Sequence, residues 1–256
     1  MIAFDFHIVL SIVGVAFAGG IIGLDRTAAG QFMVSQPIVA GPITGWMLGD
    51  VTTGLVIGAV LELIWVLDVP VGTFVPADAS IGAVSATAIA ILGSGGTALP
   101  DVIGFSILLT TAIVPLTMMI DVIARKKNSG LVEYALAPGE VVSRKLALAH
   151  LSGLVVFFMK SFILYLIVLP AGLAALLLFA RMPTQFHSAM ALFVKLLPLL
   201  GVALVARKLS IRTLDLFLLM GFVTATVFTQ FIHVPALSVS GLVIIAGLLG
   251  VRLSER

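Results

Sequence analysis

Long apolar runs dominate the chain. A helix rises 1.5 Å per residue, so about 20 apolar residues cross roughly 30 Å of hydrocarbon. Phe6 to Leu24, Val102 to Ala124, His150 to Ala180, Ser188 to Ala206, Leu214 to Ile232 and Leu237 to Val251 meet or approach that length. They predict about six spans, the third long enough to tilt or to break at Pro170 and the last rather short. Between Gln36 and Gly93 the pattern changes. Pro37 to Gly49, Leu55 to Leu67 and Ala79 to Leu92 are each cut off by a polar or turn cluster. Runs of roughly 10 to 14 residues predict broken or re-entrant helices. Gly41, Gly45 and Gly49, then Gly54 and Gly58, recur four apart, a spacing that lets helix backbones approach closely. Asp50-Val51-Thr52-Thr53 then forms a hairpin tip, which at membrane depth must be buried in protein or face a watery cavity. Two short full spans packed through small residues are the alternative. The fold class is all-α: a polytopic transmembrane helical bundle with short re-entrant or broken helices in its first half. Residues 1–256 read as a single polytopic membrane domain, with a polar cytoplasmic loop near 125–148 separating two halves.

Composition sharpens this reading. Of 256 residues, 61% are hydrophobic and 10% charged, with a mean hydropathy of +1.25. Soluble domains carry about 25% charged residues, and so little polar surface excludes a water-soluble globule. The first apolar run follows Asp5 instead of a basic segment and further runs succeed it, so it is not read as a cleaved signal peptide. The absence of Cys removes disulfides, thiolate metal sites and thiol nucleophiles. Net charge is +2 and the pI about 9.2, without the basic and aromatic interleaving that marks nucleic-acid binding. Arg125, Lys126, Lys127, Arg144 and Lys145 crowd one loop, Arg207, Lys208 and Arg212 another, and Arg252 and Arg256 the tail. With alternating spans these fall on one side, which the positive-inside rule makes cytoplasmic, together with the C-terminus. Arg181 is the exception on the opposite side, and the side of the N-terminus is left open.

Between Arg26 and Arg125 there is no Lys or Arg, yet Asp50, Glu62, Asp68, Asp78, Asp101 and Asp121 all fall there. A carboxylate at the bilayer centre costs about 2.5 to 3.5 kcal/mol, so four facing lipid would cost roughly 10 to 14 kcal/mol, comparable with a domain's whole stability. Asp101 and Asp121 lie near the ends of a span and are read as interfacial. Asp50, Glu62, Asp68 and Asp78 need a polar purpose. Glu62 sits in Leu61-Glu62-Leu63-Ile64-Trp65, followed by Asp68, Thr73 and Pro76-Ala77-Asp78. Carboxylates accept paired hydroxyls, Thr73 donates or accepts, and Trp65 offers a face to C–H groups, which suits a sugar. The same carboxylates equally suit a proton or cation relay, and Glu62 and Asp68 equally suit helix capping or ion pairing. Lys160 is a candidate partner for one of these acids, whereas Lys195 snorkels. His7, His150, His187 and His233 lie at span ends, with neither metal-site spacing nor a Ser or Asp partner for nucleophilic catalysis. No phosphate-cradling Gly-rich loop is present, so no covalent chemistry, metal or cofactor is expected of this chain alone.

Gln36-Pro37-Ile38-Val39, Gly45-Trp46-Met47-Leu48-Gly49-Asp50, Thr53-Gly54-Leu55-Val56-Ile57-Gly58, Leu61-Glu62-Leu63, and Val71-Gly72 with Pro76-Ala77-Asp78 resemble the IIC membrane subunit of the mannose/fructose/sorbose family of the phosphoenolpyruvate-dependent sugar phosphotransferase system. Leu218 to Ala225 is a weaker echo. The resemblance implies a permease subunit in a bacterial cytoplasmic (inner) membrane, in an oligomeric assembly with a IID membrane subunit. Soluble IIA and IIB proteins would carry the phosphoryl group on histidines. It implies a hexose-type sugar as passenger and no enzymatic role for IIC itself. The substrate-site candidates are Glu62, Asp68 and Asp78, then Asp50, Trp65 and Thr73. A cation-coupled secondary transporter of a small polar solute is the alternative, and a non-transporting scaffold or sensory subunit a third reading. Val66-Leu67-Asp68-Val69-Pro70 departs from the Gly-containing bend of many family members, which leaves the sugar preference open.

Overall fold

The computed structural model describes residues 5–65, 75–94, 99–136, 142–209 and 220–221. Asp68, Thr73, the bend at 66–70 and the expected spans 214–232 and 237–251 lie outside the described residues, as do the basic residues beyond Lys208. The chain divides into two compact units, 1–201 and 202–256. In the second, only the end of one helix and residues 220–221 are described.

Among the described residues every regular element is helical. The first, α1 (Phe6–Asp25), starts where the Asp5 carboxylate accepts the Ile8 N–H at 2.9 Å. It ends at buried Asp25, whose carboxylate accepts the N–H groups of Phe32 (2.6 Å) and Ser35 (3.1 Å) and so fastens the following connection. Pro37, preset for a first helical turn, opens α2 (Pro37–Leu48). Gly49 closes it at φ 86°, a left-handed conformation that glycine adopts without strain. Asp50 then caps α3 (Val51–Trp65), accepting the Thr53 N–H at 3.0 Å and the Thr53 hydroxyl at 2.6 Å. The expected hairpin tip is thus Gly49-Asp50, with Val51 to Thr53 already inside α3.

The glycine spacing has a direct structural counterpart. A Cβ on Gly41 would strike the Gly54 carbonyl oxygen, one on Gly54 the Gly41 carbonyl oxygen, and one on Gly58 the Pro37 carbonyl oxygen. The two short helices therefore touch backbone to backbone, and α2, at 12 residues, is only about 18 Å long. The third short run forms α4 (Ala79–Ser94), buried continuously from Ser80 to Ile91 and packed on α1, α2, α3 and, beyond it, α5 (Pro100–Ile113) and α7 (Val142–Phe179). Its Ala, Gly, Ser and Thr side chains let neighbours close in from several sides, which makes it the axis of the core.

Two expectations are corrected, and one pair of alternatives is decided. The run 102–124 is not one straight span: α5 and α6 (Leu116–Leu136) meet at Val114-Pro115 with a 44° bend, because proline removes a helix donor and clashes with the preceding turn. Pro170, by contrast, does not break α7, which continues through it for 38 residues, about 57 Å, well beyond the hydrocarbon thickness. The region near 125–148 is mostly helix, being the end of α6 and the start of α7. Charge does not by itself interrupt a helix. Finally α8 (Thr184–Leu209) follows the turn at 180–183. By length and apolarity, Phe6–Asp25, Ser143–Phe179 and Thr184–Leu204 can each cross a membrane, and the bent α5–α6 pair makes a fourth.

Candidate functional site

Two of the polar clusters among the described residues bear on a candidate site. The larger joins four parts of the chain. Lys160, on α7, places Nζ 3.1 Å from Asp78 Oδ2 and 2.9 Å from Asp121 Oδ1. Arg26, just after α1, approaches Asp78 Oδ1 at 3.3 Å and donates to the Pro76 carbonyl at 3.1 Å. Arg125, one turn beyond Asp121 on α6, pairs with Asp121 Oδ2 at 3.1 Å. Ser80 donates to Asp78 Oδ1 at 2.7 Å, and the Asp78 N–H donates to Thr117 Oγ1 at 3.0 Å. The side chains of Lys160 and Asp78 are only 6% and 5% exposed, which makes this pair interior. Burial alone would penalise each charge heavily, and the alternation of sign is what makes the cluster tolerable.

The smaller cluster closes the open end of the α2–α3 hairpin. Glu62 is half-buried, and its Oε2 accepts the Ile38 N–H at 3.2 Å, in the first turn of α2. With its amide turned so that the nitrogen faces the acid, the Gln36 carboxamide donates to the same carboxylate, at 2.9 Å to Oε1 and 3.2 Å to Oε2. An acid from α3 thus caps the positive end of α2, a favourable dipole interaction. One turn on, Trp65 leaves the same face of α3 and packs on α4: a Cβ on Gly82 would stand 3.0 Å from Trp65 Cζ3. Gly82 is itself one helical turn beyond Asp78. Glu62 and Trp65 therefore lie together, with Asp78 entering α4 close by in the chain.

The other candidates separate from these. Asp50 sits at the hairpin tip, about 18 Å along α3 from Glu62. Asp121, read as interfacial, is buried in the protein and doubly paired. The expected partner for Lys160 is present, and there are two. His187 does have an Asp partner, contrary to expectation: its Nδ1 lies 2.6 Å from Asp101 Oδ2, with Phe179 tilted against the imidazole at 4.4 Å. The two residues are 86 apart in sequence, which no local pattern reveals. Arg26 and Gln36 were missed as site residues. The signal for Arg26 was its isolation, as the first basic residue of the chain and the last before Arg125.

Short glycine-packed helices, long apolar spans and a charge cluster buried inside the bundle define a polytopic helical membrane protein. Residues 7–249 match the family described as the PTS system sorbose-specific IIC component, and the chain belongs to that family of membrane transport subunits, which do not themselves catalyse phosphoryl transfer. It is 41% identical over 80 residues to the putative N-acetylgalactosamine permease IIC component 2 of Escherichia coli (strain K12), a match covering 30% of this chain and 59% of that relative. The chain thus spans about 59% of the length of the curated relative it matches. Two solved structures share the fold. One, described as the structure of a membrane protein, has a TM-score of 0.70 at 20% identity, over 98% of this chain and 97% of the other. The second is the mannose transporter ManYZ in complex with microcin E492, with a TM-score of 0.54 at 19% identity, over 97% and 96%.

Proposed function

We propose that this chain is the membrane permease subunit that binds a hexose-type sugar and moves it across the bacterial cytoplasmic membrane, coupled to phosphorylation of that sugar by partner subunits. The supporting observation is Glu62: a half-buried carboxylate at the open end of a hairpin too short to span the bilayer, beside Gln36, with Trp65 on the same helix face. A carboxylate with spare lone pairs, a carboxamide and an aromatic face are the groups that pair with hydroxyls and stack on C–H surface. In this reading Asp68 and Thr73, in the connection between α3 and α4, complete the sugar contacts. Asp78 contributes from its buried cluster, and Asp50 by holding the hairpin tip. A IID membrane subunit supplies the opposing wall, and soluble IIA and IIB proteins deliver the phosphoryl group. Phosphorylation traps the sugar, because a group carrying about −1.5 to −2 charge does not recross the apolar barrier.

Orientation follows from the basic residues. Lys126 and Lys127 lie midway along α6 and Arg144 in the first turn of α7, and in this reading the end of the helix pair that carries them belongs in the cytoplasm. Thr27 and Ala28 line the same cavity as Asn128, Leu131 and Leu146, so α1 also ends on that side and its N-terminus faces away from the cytoplasm. Proteoliposomes containing this chain and its IID partner, loaded with IIA, IIB and the general phosphocarriers, test the proposal. Uptake should require phosphoenolpyruvate inside. Uptake driven by a proton gradient without any phosphoryl donor would favour the cation-coupled alternative.

A further inference from the structure

The connection from α1 to α2, residues 26–36, runs between the charge cluster at Asp78 and the cluster at Glu62. At its start Arg26 reaches Asp78 at 3.3 Å and donates to the Pro76 carbonyl at 3.1 Å. At its end Gln36 faces the Glu62 carboxylate. Between them the backbone is strained: Gln31 and Met33 stand at φ 55° and 65°, left-handed conformations that residues other than glycine rarely take. Phe32 and Met33 are 82% and 68% exposed, so burial of their side chains does not impose this shape. One buried acid does: Asp25 Oδ1 accepts the Phe32 N–H at 2.6 Å, and Oδ2 accepts the Ser35 N–H at 3.1 Å and the Ser35 hydroxyl at 3.3 Å. The Gln36 N–H then closes a turn onto the Met33 carbonyl at 3.1 Å, which ties the backbone of Gln36 to the segment Asp25 grips. Strained backbone persists only where its surroundings over-determine it, and it gathers at binding sites.

We infer that Asp25 is a positioning residue of the sugar site: by gripping Phe32 and Ser35 it holds Gln36 against Glu62. This rests on the proposal that Glu62 contacts the sugar. A carboxylate offered to hydroxyls has to keep its orientation, and Gln36 and the Ile38 N–H face it from the start of α2. Asp25 acts on that orientation at one remove, through Ser35 and the turn that ends on Gln36, without touching the sugar. Once the grip is lost, Gln31 and Met33 relax toward ordinary conformations and fewer molecules hold Gln36 in place. Sugar affinity then falls with the fraction that still does.

The test measures radiolabelled-sugar binding to the assembled membrane complex together with the mobility of the connection. Asp25→Asn keeps the shape of the side chain but exchanges one acceptor for a donor, and should lower sugar affinity about fivefold or more. Gly30→Ala, at an exposed position with φ 83°, forces a Cβ into a left-handed turn and against the Phe32 ring, and should act the same way without touching the core. In a Gln36→Ala background, itself weakened, Asp25→Asn should change affinity by less than about twofold, because the residue it acts through is gone. A nitroxide on Met33→Cys should gain mobility in Asp25→Asn, whereas one on Lys127→Cys should not. Full additivity of Asp25→Asn and Gln36→Ala would overturn the positioning role, and unchanged label mobility would overturn the grip itself. If Glu62→Gln loses affinity while Asp25→Asn and Gly30→Ala do not, the positioning role alone fails. If Glu62→Gln also binds sugar normally, the proposal for Glu62 fails and the positioning role with it.

Discussion

Lys160 is where the buried charge cluster is most exposed to a single change. Its ammonium bridges Asp78 and Asp121, which come from different helices, and its side chain is only 6% exposed. Lys160→Met would leave each acid with one arginine, Arg26 for Asp78 and Arg125 for Asp121. Breaking a buried pair costs about 3–5 kcal/mol, because the remaining charge stays desolvated. The expected result is a large fall in thermal midpoint, partly recovered by adding Asp121→Asn, measured by fluorescence-detected size exclusion on heated samples. A midpoint unchanged by Lys160→Met would mean that the cluster does not brace the bundle. The residue scale is also where sequence reading succeeded least evenly. A lysine in an apolar run with acids elsewhere has few affordable fates, so its pairing was legible. Asp121, Arg26 and the His187–Asp101 pair were not, because each depends on which helices meet, and that information is spread over long sequence separations.

At the scale of elements, α2 and α3 are held by the absence of side chains. Gly41→Leu or Gly54→Leu would place carbon where a carbonyl oxygen already stands, and neither clash can be relieved by rotating a side chain. Both variants should yield little folded protein. Gly14→Ala is the matched control: it lies within α1 with nothing near its added carbon, so it should be neutral or stabilising by about 0.5–1 kcal/mol. Folded yield of the three variants, measured side by side, checks this. Four-residue glycine spacing was readable from the chain because it has one strong physical use, close helix approach. Proline was less transparent. Pro115 bends the α5–α6 pair while Pro170 sits inside an unbroken helix. The polar stretch after Arg125 reads as a loop yet is mostly helix for a related reason: helix continuity depends on backbone hydrogen bonds, which charged residues support as well as apolar ones.

For the whole molecule, the long spans and the basic residues together predict an orientation. The chain contains no cysteine, so single introduced cysteines report topology directly. Lys127→Cys should react with a membrane-impermeant maleimide only in inside-out vesicles. Arg181→Cys, at the far end of α7, should react in right-side-out ones. Reactivity of both from the same side would reverse or break the arrangement of α7. The architecture as a helical bundle was legible from composition and run length, because hydrocarbon admits few alternatives. Which acids meet a passenger was less so: Asp78 is engaged on both oxygens by cations and Ser80, while Glu62 keeps part of its carboxylate accessible.

The proposal that bears most weight is that Glu62 contacts the sugar directly, while the Asp78–Lys160 cluster also holds the helices together. Radiolabelled-sugar binding to the assembled membrane complex, compared between the unmodified chain and Glu62→Gln at matched folded amounts, tests it most directly. Affinity should fall at least about tenfold in Glu62→Gln, as loss of a charged hydrogen-bonding partner of about 1.5–3 kcal/mol implies, with the thermal midpoint changed little. Unchanged affinity in Glu62→Gln would contradict the account.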